Sequence, residues 1–226
     1  MDHHAEHHHH TVSGESDVAA NVSYKDRVIT IELKDKDGNA PELGISHEKK
    51  MHFIIVNADL QEYYHGHPEK QGEGIYTLQK ELTDNEYKVF VDIAPKNLSY
   101  TVSPIELHVG DAHHHGHTSN DLSVAQELTQ TVDGHTIELN ATTFEAGQDI
   151  SLQFDTKGEV PEPYLGALGH VIILDEDAEK FIHVHPAAKD RTQFDTVIPK
   201  AGKYKLWAEF QFNGKVSVYS YVIEAK

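Results

Sequence analysis

An internal repeat is the feature that most restricts how this chain can fold. The segment from Met51 to Pro68 aligns with the segment from Gly169 to Pro186, and both carry histidines at the same spacing. Further along, Tyr87-Lys88-Val89-Phe90 aligns with Tyr204-Lys205-Leu206-Trp207. Such a repeat indicates two copies of one domain. The length of 226 residues suits two domains of about 100 residues each.

Each half consists of short apolar segments with alternating polarity, separated by turn residues such as Lys36-Asp37-Gly38-Asn39. No segment keeps a helical period over its length. Near the end of the chain, Asn213-Gly214 predicts a two-residue hairpin turn. The pattern predicts an all-β fold of two tandem immunoglobulin-like (cupredoxin-like) antiparallel β-sandwich domains. The predicted strands are Val28–Leu33, Met51–Val56, Tyr63–His67, Ile75–Leu82, Tyr87–Ile93, Tyr100–Val109, Thr136–Leu139, Ile150–Phe154, His170–Leu174, Phe181–His185, Gln193–Ile198, Tyr204–Phe212 and Lys215–Glu224.

Composition sets the predicted domain boundaries. Residues 1–20 form a polar, histidine-rich tract that we expect to be disordered, and residues 111–131 form a histidine-rich linker with a short helix near Leu122–Leu128. The two sandwiches are predicted at residues 21–110 and 132–226. A second tract at residues 113–117 favours a native N-terminal run over a purification tag. We interpret the start of the chain as a mature form without its targeting segment.

Charge and residue usage narrow the possible functions. The chain has 19 basic and 37 acidic residues and a net charge of −18, so its surface repels nucleic acid and attracts cations. It has no cysteine, which excludes disulfides, thiolate nucleophiles and thiolate metal sites. Its 19 histidines far exceed the roughly five that are usual for this length. The excess histidines therefore need a functional explanation.

Both copies contain three histidines in the pattern His-x12-His-x-His, followed by proline. If each copy forms a symmetric antiparallel hairpin, His52 lies opposite His67 and His170 lies opposite His185. Opposed residues, and residues two apart on one strand, share a face of the sheet. Three imidazoles placed in this way can converge on one ion at Zn–N distances of about 2.0–2.1 Å. The sequence thus predicts one metal site per domain, with the ligands His52, His65 and His67, and His170, His183 and His185.

A lone strand histidine is more often structural than a ligand, but a convergent triad is different. Its nitrogens need partners and its rings repel one another once protonated, and one metal ion removes both problems. The prediction depends on register, because a slip of one residue moves His52 to the opposite face. His47 is the strongest candidate for a fourth ligand, and water is the alternative. The scarcity of methionine (Met1 and Met51 only) favours Cu(II) or Zn(II) over Cu(I).

Two segments resemble motifs of bacterial secreted proteins and lipoproteins. These are His47-Glu48-Lys49-Lys50-Met51-His52-Phe53-Ile54-Ile55-Val56 with His65-x-His67-Pro68, and Pro163-Tyr164-Leu165-Gly166-Ala167-Leu168-Gly169-His170 with His183-Val184-His185-Pro186. They are similar to YtkA-like and FixH-like immunoglobulin-type sandwiches, which are often linked with copper handling. The resemblance implies an extracytoplasmic location and a lipid-anchored N-terminus, whose anchoring cysteine is not in this sequence.

We therefore expect an extracytoplasmic chaperone, buffer or scavenger of Cu(II) or Zn(II), secreted or anchored at the cell surface, and not an enzyme. Its expected partners are metal ions and a membrane metal transporter or metalloprotein acceptor, with membrane contact only through a lipid anchor. Two alternatives stay open. Three histidines with an open position also activate zinc-bound water in metalloenzymes. Clustered histidines that charge near pH 6 also serve as pH sensors in adhesion modules.

Overall fold

The structure is a computed structural model that describes residues 16–110, 122–124 and 128–226. Within these ranges all strands pair antiparallel in four sheets. This confirms the predicted fold class of two tandem β-sandwich domains. The N-terminal histidine run and the histidine-rich part of the predicted linker lie outside the described residues. In the described part of the chain, no helix has the length and apolar character needed to cross a membrane.

The first domain is a sandwich of two four-stranded sheets. Its strands are β1 (Val18–Lys25), β2 (Val28–Asp35), β3 (Met51–Asn57), β4 (Tyr63–Gly66), β5 (Glu69–Gly72), β6 (Ile75–Gln79), β7 (Asn85–Ile93) and β8 (Ile105–Val109). One sheet has the order β1-β2-β6-β5 and the other has the order β4-β3-β7-β8. We call the second one the inner sheet of domain 1, because it faces the other domain. The chain changes sheets between β4 and β5.

The second domain repeats this plan with one additional strand. Its strands are β9 (Thr129–Val132), β10 (His135–Ala141), β11 (Asp149–Asp155), β12 (His170–Asp175), β13 (Phe181–Ile182), β14 (Val184–Pro186), β15 (Gln193–Val197), β16 (Gly202–Phe212) and β17 (Lys215–Ala225). The outer sheet has the order β14-β15-β11-β10-β9, and the inner sheet has the order β13-β12-β16-β17. Strand β9 is the additional strand and extends the edge of the outer sheet. Here the chain changes sheets between β13 and β14.

The inner strands are buried on both faces, which explains their nearly unbroken apolar sequences. Every residue of β3 is buried. Phe53 and Ile55 point into the core of domain 1, whereas Ile54 and Val56 point out of it. The outward-pointing residues meet the equivalent face of domain 2. The resulting interdomain core contains Ile54, Val56, Leu60, Phe90, Leu122, Ile172, Leu174, Ala178, Trp207 and Val222.

The strand predictions hold for most elements and fail at three edges. The Asn213-Gly214 hairpin is confirmed: Phe212 pairs with Lys215, and both turn residues have positive φ, as a type I′ turn requires. Edge strands β1, β5 and β9 were not predicted, since their polar residues hide the alternation. Strand β1 begins inside the tract predicted at 1–20, and β9 begins inside the linker predicted at 111–131. Of the predicted helix, residues 122–124 have no regular structure and residues 125–127 lie outside the described ranges.

Candidate metal centre

The inner sheet of domain 1 brings His52 and His65 onto one face. Strands β3 and β4 pair in the predicted register, with Ile54 opposite His65. His52 precedes Ile54 by two residues on β3, so it shares that face. This face is turned toward domain 2, because Ile54 belongs to the interdomain core. Both imidazoles are therefore shielded from solvent, with exposed fractions of 1% for His52 and 1% for the side chain of His65.

In domain 2 the register is again the predicted one, but the hairpin is shorter. The last pair in the inner sheet joins Ile173 to Ile182. The chain then crosses to the outer sheet, where His185 pairs with Asp195 on β15. His183 lies at this crossover, and both His183 and His185 are exposed. The prediction of one three-histidine site per domain is therefore wrong for domain 2, because the early crossover separates His183 and His185 from His170.

Instead, His170 of domain 2 joins the histidines of domain 1 across the interface. One ring nitrogen each of His52, His65 and His170 lies within 4.8 Å of the others. The ring of His170 stacks on those of His52 and His65, at centroid distances of 5.3 and 4.7 Å. The ring of His67 is 5.0 Å from that of His52 and 4.7 Å from that of His65. The structure thus gathers four imidazoles at the domain interface, three of them within reach of one ion.

Hydrogen bonds at the outer side of the cluster fix the tautomers of two rings. The Nε2–H of His52 donates to the carbonyl oxygen of Ser46 at 2.9 Å, because a carbonyl oxygen can only accept. The Nδ1–H of His65 donates to a carboxylate oxygen of Glu209 at 2.9 Å. Each neutral imidazole carries one proton, so the opposite nitrogens have free lone pairs. These are Nδ1 of His52 and Nε2 of His65.

The two lone pairs face each other at a distance of 3.0 Å, between Nδ1 of His52 and Nε2 of His65. Two acceptors at this distance repel each other unless a cation lies between them. Two nitrogens bound to one ion at about 2.0–2.1 Å are separated by about 2.9 Å in a square-planar shell and about 3.4 Å in a tetrahedral shell. The observed separation falls in this range. The pair is therefore arranged to share a cation, which is either a metal ion or a proton.

Burial keeps most of the cluster in the neutral form that binds metals. Desolvation, followed by the repulsion of neighbouring histidines, lowers the pKa of His67 to about 3. Desolvation also lowers the pKa of His52 to about 4 and that of His170 well below its usual value. The Nε2 of His67 and the Nδ1 of His170 are buried without a hydrogen-bond partner in the described part of the chain. A bound metal ion would satisfy such a nitrogen when the ring carries its proton on the other nitrogen, and the Nδ1 of His170 also lies 3.7 Å from a carboxylate oxygen of Glu209.

Glu209 orients the cluster from domain 2. Its side chain is 3% exposed and lies on β16, where Glu209 pairs with His170. Besides the bond from His65, the carboxylate accepts a hydrogen bond from the hydroxyl of Tyr63 at 2.9 Å and another from Tyr164. A carboxylate that holds the outer nitrogen of a ligating histidine is typical of metal sites. Glu209 is not among the residues predicted from the sequence, although the repeat aligns it with Asp92, another carboxylate.

A solvent cleft of about 510 Å³ between the domains gives access to the cluster. His65 and His67 line the cleft on the side of domain 1, and Tyr164 and Leu165 line it on the side of domain 2. Lys49 also lies in its wall. The cleft therefore offers a route by which an ion or an additional ligand can reach His65 and His67.

His47, the predicted fourth ligand, lies beside His52 and His170. Its ring centroid is 5.9 Å from that of His52 and 5.6 Å from that of His170. Its backbone has a φ of 45°, in a tight turn where Ser46 pairs with Lys49. His47 is half-buried, and desolvation lowers its pKa. It adjoins the three-histidine group without belonging to it.

The chain belongs to a protein family described as a domain of unknown function (DUF8832). The family model matches residues 5–110 and again residues 130–226, so it covers most of the chain. The double match agrees with the repeat seen in the sequence and with the two sandwiches of the structure. No curated protein matches this sequence.

Several solved structures show a distant likeness. One is a two-domain fibronectin type-III segment of chicken tenascin, with 8% identity, a TM-score of 0.28, and coverage of 92% of this chain and 98% of that chain. The chicken CNTN1 FN1–FN3 domains have 12% identity, a TM-score of 0.28, and coverage of 93% and 66%. A biofilm-associated protein BSP domain has 12% identity, a TM-score of 0.27, and coverage of 92% and 30%. TM-scores this low carry no argument about function.

Proposed function

We propose that this protein binds one transition-metal ion, Cu(II) or Zn(II), at a site between its two domains. The observation that carries the proposal is that Nδ1 of His52 and Nε2 of His65 face each other at 3.0 Å. Each has a free lone pair, because the proton of its ring is on the other nitrogen. His170 supplies the third nitrogen from the other domain. Neutral imidazole nitrogens are good ligands for both metals, and intrinsic affinity favours Cu(II).

The fourth position is proposed for His67 or for a molecule that enters through the cleft. The Nε2 of His67 is buried and has no hydrogen-bond partner among the described residues. Its ring lies against those of His52 and His65. A ligand that can leave the fourth position would let the ion be exchanged with a partner, as a carrier requires.

The proposed role is metal handling outside the cytoplasm, as a chaperone, buffer or scavenger rather than an enzyme. The net charge of −18 would concentrate cations near the protein. The resemblance to YtkA-like and FixH-like proteins supports a secreted or lipid-anchored location and a link with copper. The proposed partner is a membrane metal transporter or a metalloprotein acceptor, since a carrier must be loaded and unloaded.

A second candidate function is pH sensing, and the same pair of nitrogens supports it. A proton held between Nδ1 of His52 and Nε2 of His65 would also remove the repulsion of the lone pairs. The resulting positive charge would be balanced by Glu209 across the interface. Two β-sandwich domains whose interface changes with pH would suit an adhesion module. Metal titration distinguishes the two functions, because a sensor responds to pH in the presence of a chelator.

The test uses the full chain with the ten tract histidines (at positions 3, 4, 7–10, 113–115 and 117) replaced by asparagine. We call this chain the tract-free protein. Titration with Cu(II) and Zn(II) should give one tight equivalent per chain. His170→Gln alone should abolish tight binding, although this histidine lies in the second domain. His183→Gln with His185→Gln should leave tight binding intact.

Two outcomes would contradict the proposal. If the tract-free protein has no tight equivalent, the cluster does not bind metal and the proton-sharing function is favoured. If it has two tight equivalents and His183→Gln with His185→Gln removes one of them, the sites form separately within the domains. His135→Gln is the matched control, because His135 is stacked on Phe212 and bound to Glu159 and is not part of the histidine cluster.

A further inference from the structure

The solvent cleft between the domains ends at the histidine cluster. His65 and His67 both lie in its wall. His65 also belongs to the three rings that can hold one ion, together with His52 and His170. A molecule inside the cleft can therefore reach an ion bound to these rings. The cleft volume of about 510 Å³ is within the range of about 300–1,000 Å³ that is usual for small-molecule sites.

Three imidazoles do not complete the coordination of the proposed metals. Zn(II) takes four or five ligands, and Cu(II) prefers a tetragonal arrangement of nitrogen and oxygen donors. Among the described residues, the side chains whose ligand atoms lie close enough to hold an ion jointly are His52, His65 and His170. His67 is not in this group, although its ring is near. One or two positions of the ion are therefore left for donors that the cleft can admit.

The wall of the cleft carries an acidic and a basic side chain beside the cluster, Glu48 and Lys49. They belong to the turn in which Ser46 pairs with Lys49, and the Ser46 carbonyl oxygen accepts the proton of His52. Both side chains are exposed, and neither charged group is bound to another described residue. A Cβ added at Gly166 would lie 3.4 Å from Cγ of Glu48, so this side chain reaches across to domain 2.

Apolar side chains from both domains form another part of the wall. Leu78 comes from domain 1, and Pro163 and Leu165 come from domain 2. Apolar surface that a ligand buries here favours binding by about 25 cal/mol per Å². The cleft thus offers a hydrogen-bond donor, an acceptor and an apolar surface next to the metal-binding rings.

We propose that the cleft binds an α-amino acid, which completes the coordination of the ion through its amino nitrogen and one carboxylate oxygen. The second carboxylate oxygen accepts a hydrogen bond from the ammonium group of Lys49. The metal-bound amine is neutral and donates an N–H to Glu48, and the ammonium proton of the free amino acid passes to solvent. The apolar surface of the cleft favours an apolar side chain.

The opposite charges of Glu48 and Lys49 favour an amino acid over a simple anion. Acetate or carbonate could pair with Lys49, but Glu48 would repel it, whereas a coordinated amine gives Glu48 a donor. This inference rests on the proposed function, since the amino acid binds to the metal ion. It also gives the carrier a chemical form of its cargo, which is a metal ion that arrives or leaves as its amino-acid complex.

The experiment adds ¹⁵N-labelled or unlabelled L-leucine to the tract-free protein that has been loaded with slightly less than one equivalent of Cu(II). Pulsed EPR detects the nitrogens bonded to copper, and the imidazoles of the protein are unlabelled in both samples. We expect a ¹⁵N coupling in the labelled sample only. Ultrafiltration with metal analysis should find the copper with the protein in both samples. Acetate, which has the carboxylate without the amine, should not displace the labelled leucine at equal concentration.

Variants of the cleft test the two charged contacts. Lys49→Gln and Glu48→Gln should each weaken leucine binding to the copper-loaded protein by about two- to fivefold, as is usual for an exposed ion pair. The matched control is Lys50→Gln, because Lys50 is the adjacent exposed lysine and lies outside the cleft wall. It changes the net charge equally and should leave leucine binding unchanged.

The outcomes separate this inference from the proposed function. Copper that stays on the protein without a ¹⁵N coupling would overturn the inference and leave the function intact. Copper that leaves with leucine, displacement by acetate, or an equal effect of Lys50→Gln would also overturn the inference. Tight copper binding only in the presence of leucine would support it and refute binding by the protein alone. If copper is retained neither with leucine nor without it, both proposals fail.

Discussion

Replacement of Glu209 by glutamine tests whether the buried carboxylate prepares His65 for metal binding. Glutamine keeps the shape of the side chain, and its amide oxygen can still accept from Nδ1 of His65 while the amide group donates to Tyr63. The negative charge is lost, so the hydrogen bond from Nδ1 of His65 is no longer charge-assisted and the tautomer is less firmly fixed. Mutation of such an outer partner weakens metal binding by about 10- to 100-fold. This corresponds to about 1.4–2.7 kcal/mol.

Two assays measure this effect independently. Competition with a chromophoric chelator should give a Kd that is higher by the same factor in Glu209→Gln. At saturating metal, the gain in unfolding free energy should shrink by about 1.4–2.7 kcal/mol. For a chain of this size, the metal-induced rise in Tm should then be smaller by roughly 3–11 °C. Both differences are taken against the metal-free form of the same variant, which removes any direct effect on stability.

The matched control is Glu159→Gln, because Glu159 also binds a histidine, His135, at 2.6 Å but is exposed. It should leave the Kd and the metal-induced Tm shift unchanged. If Glu209→Gln has the same Kd as the parent protein, Glu209 does not orient a ligand. The proposal that the buried negative charge of Glu209 prepares His65 for metal binding would then be refuted.

Three further outcomes are expected. Trp207→Ala should destabilise the protein by about 3–5 kcal/mol in urea unfolding, since this 2%-exposed ring fills the interdomain core; a loss under 1 kcal/mol would contradict that packing. Burial holds the pKa of His52 and of His170 below the unfolded value, so only the unfolded chain gains these protons as the pH falls below about 6.5. Metal-free stability should therefore fall by about 1.4 kcal/mol per pH unit for each of them, and a flat profile in urea unfolding between pH 7.5 and 5 would disprove it. Gly66→Ala should cost about 1–3 kcal/mol and weaken metal binding, because an added Cβ would lie 2.8 Å from the ring of Tyr64; unchanged Tm and Kd would count against this close contact.

The sequence by itself determined the domain type, the duplication and the local register. Alternating apolar residues encode which side chains share a face, and this was enough to place His52 and His65 together. The spacing between strands also determined the hairpin register in both copies, as Ile54 opposite His65 and Ile173 opposite Ile182 demonstrate. These features depend on contacts between residues that are close in the chain.

Only the tertiary structure decided where the histidines converge. The strand pattern does not say where the chain changes sheets, and the early change after Ile182 removed His183 and His185 from the predicted triad. It also does not say which surface covers an exposed sheet face. Because the two inner sheets cover each other, His170 and Glu209 complete a cluster begun by the other domain. Contacts between distant segments depend on packing of whole surfaces, which the local alternation of residues does not encode.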